Sequence, residues 1–199
     1  MSAVKLDGVT WKGPKIDDKE ILKDLPAALR ELLDCVNGFV LHGGALHIRG
    51  ACMAPDWHSL RTAWHGDEAL HKLYATVQPG DVPFAQDNFG DQFLLRDEVV
   101  MRLFAETGEV EMMAEDLNEF LAAVNIDLEG YLNVQPAQLE PGQLLLAYPP
   151  FCFDAAGANI EFSPLPASEV IKFHAQIAAQ LKDVPEGAKI EFKVQDDNN

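Results

Sequence analysis

The segment Val82–Leu95, VPFAQDNFGDQFLL, sets the architecture expected of this chain. Both of its ends have the apolar character of β-strands, and the acidic segment Asp87–Asp91 lies between them. Asn88 and Gly90 favour the backbone conformations of a tight turn. The segment therefore predicts two antiparallel strands that are joined by an acidic turn. Leu94 interrupts the alternation of apolar and polar residues, which is typical of a strand covered on both faces.

The acidic turn has a second interpretation, an oxygen-rich loop that holds a calcium ion. An EF-hand loop needs oxygen ligands at alternating positions, a central glycine and a glutamate at its end. Here Phe89 directly precedes Gly90, and the apolar residues Phe93–Leu95 fill the second half of the segment. The spacing therefore favours a turn over a calcium loop.

Apolar spacing on both sides of this strand pair predicts further helices and strands. Helices are predicted at Lys19–Leu25, Pro26–Val36, Trp57–Trp64, Asp67–Val77, Leu117–Val124 and Val170–Leu181. Strands are predicted at Phe39–Leu41, Ala45–Ile48, Val99–Phe104, Val110–Met113, Gln143–Tyr148 and Lys189–Val194. Helices that flank an antiparallel meander indicate an α+β fold.

The charge of the chain is strongly unbalanced. Aspartate and glutamate number 32 against 15 lysines and arginines, which gives a net charge of -17 over 199 residues. A surface this acidic repels nucleic acid and anionic lipid, so neither is expected as a partner. The acidity favours either a basic protein partner or solubility alone, and both interpretations remain open.

Two features of the sequence bear on the cellular compartment of the protein: its cysteines and its opening residues. Cys35, Cys52 and Cys152 are an odd number without regular spacing, which is typical of a reducing compartment. The opening residues lack the apolar core of a signal peptide, and no apolar window approaches the length needed to span a bilayer. A cytoplasmic location is therefore expected.

Residues that could carry chemistry are present without a recognised spacing. The histidines between His42 and His71 include no H-x-x-x-H pair, and the cysteines form no C-x-x-C pair. Hydrogen-bonded histidines are therefore favoured over a zinc site. The chain also lacks a G-x-S-x-G elbow, a P-loop and a G-x-G-x-x-G fingerprint. We expect no catalytic residue, no cofactor and no metal. The alternative is an enzyme whose active site has diverged from the recognised motifs.

Three segments, in this order, carry a resemblance to a known family. They are LPAALRELLDCVNGF at Leu25–Phe39, VPFAQDNFGDQFLL at Val82–Leu95 and ETGEVEMMAEDLNEFLAAV at Glu106–Val124. Their order and spacing, over roughly residues 19–132, resemble the SUKH superfamily, which includes Smi/Knr-type and Syd-like proteins. The resemblance implies an α+β fold with a bent, mainly antiparallel sheet and flanking helices. It also implies a non-enzymatic role, since many bacterial members look like immunity proteins that neutralise polymorphic toxins, often nucleases.

The resemblance also divides the chain. Residues 1–135 are expected to form a SUKH-like core with a helical insertion near residues 53–78. Residues 136–199 are expected to form a strand–helix–strand extension that packs on the core. The expected function is binding and neutralisation of a cognate toxin with a basic surface. Other family members serve as regulatory or scaffold modules, which is the alternative.

Four acidic residues are candidate contacts with such a partner: Asp87, Asp91, Asp97 and Glu98. They lie in the turns at the two ends of one predicted strand, and turns on a rigid sheet often carry function. The alternative is that these carboxylates only solvate the turns. The sequence does not predict an oligomeric state.

Overall fold

A computed structural model describes residues 7–153, 159–185 and 187–188. The fold class is confirmed as α+β, with a seven-stranded sheet and a two-stranded sheet. The seven strands follow chain order and pair antiparallel. They are β1 Val9–Lys12, β2 Phe39–Leu41, β3 Leu46–Ile48, β4 Val82–Asp87, β5 Gln92–Arg96, β6 Val99–Leu103 and β7 Val110–Ala114. The small sheet pairs β8 Gln143–Tyr148 with β9 Glu161–Pro166.

Helices lie before, between and after the strands. They are α1 Lys19–Asp24, α2 Ala27–Cys35, α3 Leu60–His65, α4 Leu70–Leu73, α5 Leu117–Leu132 and α6 Ala167–Leu181. Three begin at side-chain caps: Asp18 accepts the N–H of Ile21, and Ser59 and Asp116 cap α3 and α5 in the same way. Such caps satisfy N–H groups that have no partner inside the helix. Within the described residues, no helix combines the length and apolar character required to cross a bilayer.

The interior strand β5 is buried on both faces, as Leu94 predicts. Phe93 and Leu95 point into the main core, which α1, α2, α3 and α5 also line. Leu94 points to the opposite face and joins a second cluster with Leu103 and Tyr74. A strand that is covered on both faces carries apolar residues on both, so its sequence does not alternate between apolar and polar residues.

Helix α6 covers that second face. Ala175 and Ala178 are buried against the cluster that contains Leu94, and Ile171 packs at its border. Strand β8 of the small sheet buries Leu144 against Val170 of the same helix. The C-terminal segment therefore contributes side chains to the apolar layer outside the seven-stranded sheet.

Several elements differ from the sequence prediction. The helix predicted at Trp57–Trp64 divides at Ser59 into a 3₁₀ turn and α3, because Ser59 is extended and caps α3. The helix predicted at Asp67–Val77 is limited to α4. Strands β1 and β9 were not predicted, and β9 contains Pro164, which argues against a strand. The strand predicted at Lys189–Val194 lies outside the described residues.

Candidate functional site

Asp87 lies inside the protein at the start of the β4–β5 turn. Only 1% of the residue is exposed. Its Oδ1 accepts hydrogen bonds from the backbone N–H groups of Phe89 at 2.9 Å and Asp91 at 3.0 Å. An aspartate that bonds its own chain a few residues on stabilises a tight turn. The structure thus places the candidate contact Asp87 in the interior, where its carboxylate shapes the turn.

Asp91, at the other end of that turn, is largely occupied by internal partners. Its Oδ2 accepts hydrogen bonds from Arg102, from Nη2 at 2.7 Å and from Nε at 2.9 Å. Its Oδ1 accepts the N–H of Ala105 at 2.8 Å. The side chain is 15% exposed. Asp91 thus ties the turn to β6, with little carboxylate surface left for a partner.

Asp97 and Glu98 are exposed, in the hairpin turn between β5 and β6. The neighbouring Arg96 pairs with the buried Asp81 and anchors this turn. A five-residue antiparallel strand is about 17 Å long, and β5 separates these two residues from Asp91. The four predicted contacts therefore do not form one patch, and Asp97 and Glu98 are the two in the exposed class.

The acidic turn presents a phenylalanine towards the surface. The ring of Phe89 contacts Phe151, with centroids 5.1 Å apart, and Phe162, with centroids 5.6 Å apart. Phe151 and Phe162 are 6.1 Å apart. We call these three rings the aromatic patch. Phe151 is 49% exposed and Phe162 is 39% exposed, and an exposed apolar group of this kind is typical of an interaction site.

Two more exposed apolar residues lie at the same end of the small sheet. Tyr148 ends β8 and is 69% exposed, and Ile160 directly precedes β9 and is 42% exposed. Sequence reasoning missed the aromatic patch because its members come from three distant segments. One signal was available: Phe89 stands in the middle of a turn that requires no apolar side chain.

Three carboxylates support the backbone beneath the aromatic patch. Besides Asp87 and Asp91, Glu106 accepts the N–H of Cys152 at 2.7 Å. Burial, and secondly the nearby Asp91 carboxylate, hold the pKa of Asp87 well above its usual range. Burial also raises the pKa of Glu106. We call Asp87, Asp91 and Glu106 the carboxylate cluster, and Arg102 is the arginine that pairs with it.

His174 of α6 borders the carboxylate cluster without neutralising it. Its Nε2 lies 3.9 Å from Oε1 of Glu106, and the residue is 2% exposed. Burial lowers the pKa of His174 to about 4, so the ring is neutral at pH 7. The cluster therefore contains three carboxyl groups beside one cationic side chain.

Two further buried histidines and two of the cysteines lie in environments that favour their neutral forms. His47 and His58 share a hydrogen bond of 2.8 Å, and His58 Nε2 lies 2.9 Å from the carbonyl oxygen of Asn37. Burial raises the pKa of the Cys52 thiol to about 11 and that of Cys152 to about 12, so neither is a thiolate at neutral pH. In the part of the chain that the structure describes, no three His, Cys, Asp or Glu side chains are grouped to hold a metal ion.

Comparison with known proteins defines the fold. No family model and no curated protein matches the chain. The structure is similar to the crystal structure of Atu4351 from Agrobacterium tumefaciens, with a TM-score of 0.55 and 15% sequence identity. The match covers 88% of this chain and 89% of that chain. The protein therefore shares the α+β fold of Atu4351 over most of both chains.

Proposed function

We propose that this protein is a cytoplasmic, non-enzymatic member of the SUKH superfamily that binds and neutralises a toxin domain with a basic surface, such as a nuclease. One observation carries the proposal: the aromatic patch is exposed on a chain of net charge -17. Aromatic residues are enriched among the few side chains that supply most of the binding energy at protein interfaces.

The charge supports the choice of partner. A nuclease presents cations that hold phosphates, so an acidic inhibitor can occupy the same surface. A net charge of -17 produces a long-range field that accelerates encounter with such a surface. Asp97 and Glu98 contribute to this field from the exposed turn between β5 and β6. Long-range attraction brings the partner near, and the aromatic patch supplies the close contact.

Neutralisation can be tested with any toxin domain that is found in the reading frames next to the gene of this protein. The domain is expressed in cells together with wild-type protein, Phe162→Ala or Met53→Ala. Met53 is a matched control, because it is an apolar residue 57% exposed on a different segment. We expect the wild type and Met53→Ala to restore growth. We expect Phe162→Ala to weaken binding about 10- to 100-fold, the range for an interface residue worth about 1.4–2.8 kcal/mol.

The same experiment separates the proposal from its alternative. Tight binding that leaves the toxin active would indicate a regulatory or scaffold module. Failure of the wild-type protein to bind the domain or to protect the cells would contradict the proposed function. Equal losses in Phe162→Ala and Met53→Ala would show that the aromatic patch is not the contact surface.

A further inference from the structure

The aromatic patch leaves ring surface open to solvent. Phe151 meets Phe89 at an interplanar angle of 86°, and Phe162 meets Phe89 at 43°. Although the rings touch, about half of Phe151 and more than a third of Phe162 remain exposed (49% and 39%). The face of an aromatic ring carries partial negative charge and attracts cations.

The carboxylate cluster lies next to the backbone that bears these rings. Asp87 accepts the N–H of Phe89 itself, and Glu106 accepts the N–H of Cys152, which follows Phe151. Asp87 Oδ2 is buried without a hydrogen bond, and the Arg102 Nη2 atom is 3.6 Å away. The oxygen atoms of a carboxyl group carry partial negative charge in either protonation state, so they add to the attraction for a cation near the rings.

Among the described residues no strand pairs with the outer edge of β9, and Pro164 closes that edge to a partner strand. The backbone N–H of Leu145 in β8 donates a hydrogen bond to the backbone carbonyl oxygen of Asn88, so it points away from β9. Leu145 and Pro164 are paired across the small sheet, and the pair is of the non-hydrogen-bonded type. The backbone nitrogen of Pro164, which carries no hydrogen, therefore faces the outer edge of β9. Proline at that position blocks strand addition. A partner must therefore contact side chains at this end of the protein.

A second copy of this chain is a poor occupant of the aromatic patch, because two chains of net charge -17 repel each other. We propose that the patch receives an arginine side chain of the partner, whose guanidinium stacks on Phe151 and Phe162 above the carboxylate cluster. Guanidinium is planar and weakly hydrated, so it stacks on aromatic faces more readily than the ammonium group of lysine. This inference rests on the proposed function and names the group that the partner contributes.

The direct test uses a small probe. N-acetyl-arginine amide is titrated into the full chain, and the ring resonances of the phenylalanines are followed by NMR. N-acetyl-citrulline amide is the control, because it has nearly the same shape without the charge. We expect arginine to shift the resonances of Phe151 and Phe162, and added salt to weaken the effect. The citrulline probe should bind about two- to fivefold more weakly, which matches an exposed cation–π contact.

Two variants locate the site. Phe162→Leu keeps an apolar side chain without a π face, and Glu106→Gln replaces a carboxyl group of the carboxylate cluster with a neutral amide. Each should weaken arginine binding relative to wild type, while the Met53→Ala control should not. Equal binding of arginine and citrulline, shifts away from the aromatic patch, or unchanged binding by Phe162→Leu would overturn the inference.

The outcomes also separate this inference from the proposed function. If the wild type neutralises the toxin but shows no arginine-dependent shift at the patch, the arginine site is wrong and the proposed function stands. If arginine binds at the patch but the toxin domain is not bound, the proposed function is wrong and the cation site stands.

Discussion

The carboxylate of Asp87 ends strand β4 and holds the turn that follows it. The turn depends on the oxygen that accepts the two backbone N–H groups, of Phe89 and Asp91. Asp87→Ala removes this acceptor, whereas Asp87→Asn keeps an oxygen in the same place. We expect Asp87→Ala to lower the free energy of unfolding by about 1–3 kcal/mol, the cost of unsatisfied buried donors. Asp87→Asn should cost less.

Urea unfolding of the wild type and both variants measures this difference. Equal stability of Asp87→Ala and wild type would show that the turn does not depend on the carboxylate. A larger loss for Asp87→Asn than for Asp87→Ala would show that the negative charge, paired with Arg102, matters more than the acceptor.

His174 makes the stability of the protein depend on pH. Its pKa is lowered to about 4 in the folded protein, against about 6.5 in an unfolded chain. Between these values the unfolded chain binds a proton that the folded protein does not. The stabilisation is therefore complete above about pH 6.5 and is lost as the pH falls towards 4, by about 1.4 kcal/mol per pH unit. His174→Leu should remove this contribution.

The measurement is the unfolding free energy of wild type and His174→Leu at pH 7, 6 and 5. Asp87 and Glu106, whose raised pKa values act with the opposite sign, are present in both proteins. The difference between the two proteins therefore reports His174, and it should move in favour of the variant as the pH falls. Parallel pH curves would contradict the prediction.

At the scale of elements, the residue that precedes β8, Gly142, packs closely against the ring of Trp57. Gly142 has a φ of +92°, and a Cβ atom placed there would lie 2.9 Å from Cδ1 of Trp57. Gly142→Ala therefore combines an unfavourable backbone conformation with a clash, and we expect a loss of about 1–3 kcal/mol. Gly80→Ala is the matched control, since Gly80 has no atom within 4 Å of the added Cβ.

Thermal or urea unfolding of both glycine variants provides the comparison. Gly80→Ala should leave stability unchanged or slightly raised, because alanine reduces the freedom of the unfolded chain. If Gly142→Ala is as stable as Gly80→Ala, the close approach of β8 to Trp57 does not constrain the fold.

The elements also show what the sequence could predict. The buried strand β5 was predictable, because Leu94 carries the signal of a second covered face within the strand itself. The burial of Asp87 was not, since β8 and α6, which lie against the same turn at Gly90, come much later in the chain. The ring contacts of Phe89 depend on distant segments in the same way. Local patterns thus predicted the strands, and the candidate site required their assembly.

At the scale of the whole molecule, net charge predicts how binding depends on salt. Raising the salt concentration should slow association with the basic toxin domain, because screening shortens the reach of the field. Changing Asp97→Asn and Glu98→Gln together should lower the association rate a few-fold. Asp87→Asn should have a smaller effect on that rate, since the carboxylate is buried. Asparagine also tolerates the left-handed backbone at position 97, where φ is +57°.

Stopped-flow association at two salt concentrations, with the neutral-amide variants of Asp87, Asp91, Asp97 and Glu98, tests this mechanism. An association rate that responds neither to salt nor to these substitutions would rule out electrostatic steering. The aromatic patch would then be the basis of binding without help from charge.

The cover that α6 places over Leu94 has a consequence for synthesis on the ribosome. Strand β5 ends at Arg96, and α6 begins only at Ala167. At about 5–20 residues per second, translation of the intervening chain takes roughly 4–14 s. During that interval the nascent sheet presents Leu94 and Leu103 without their helical cover. Exposed apolar surface of this kind recruits chaperones, so newly made chains should depend on them until α6 has emerged.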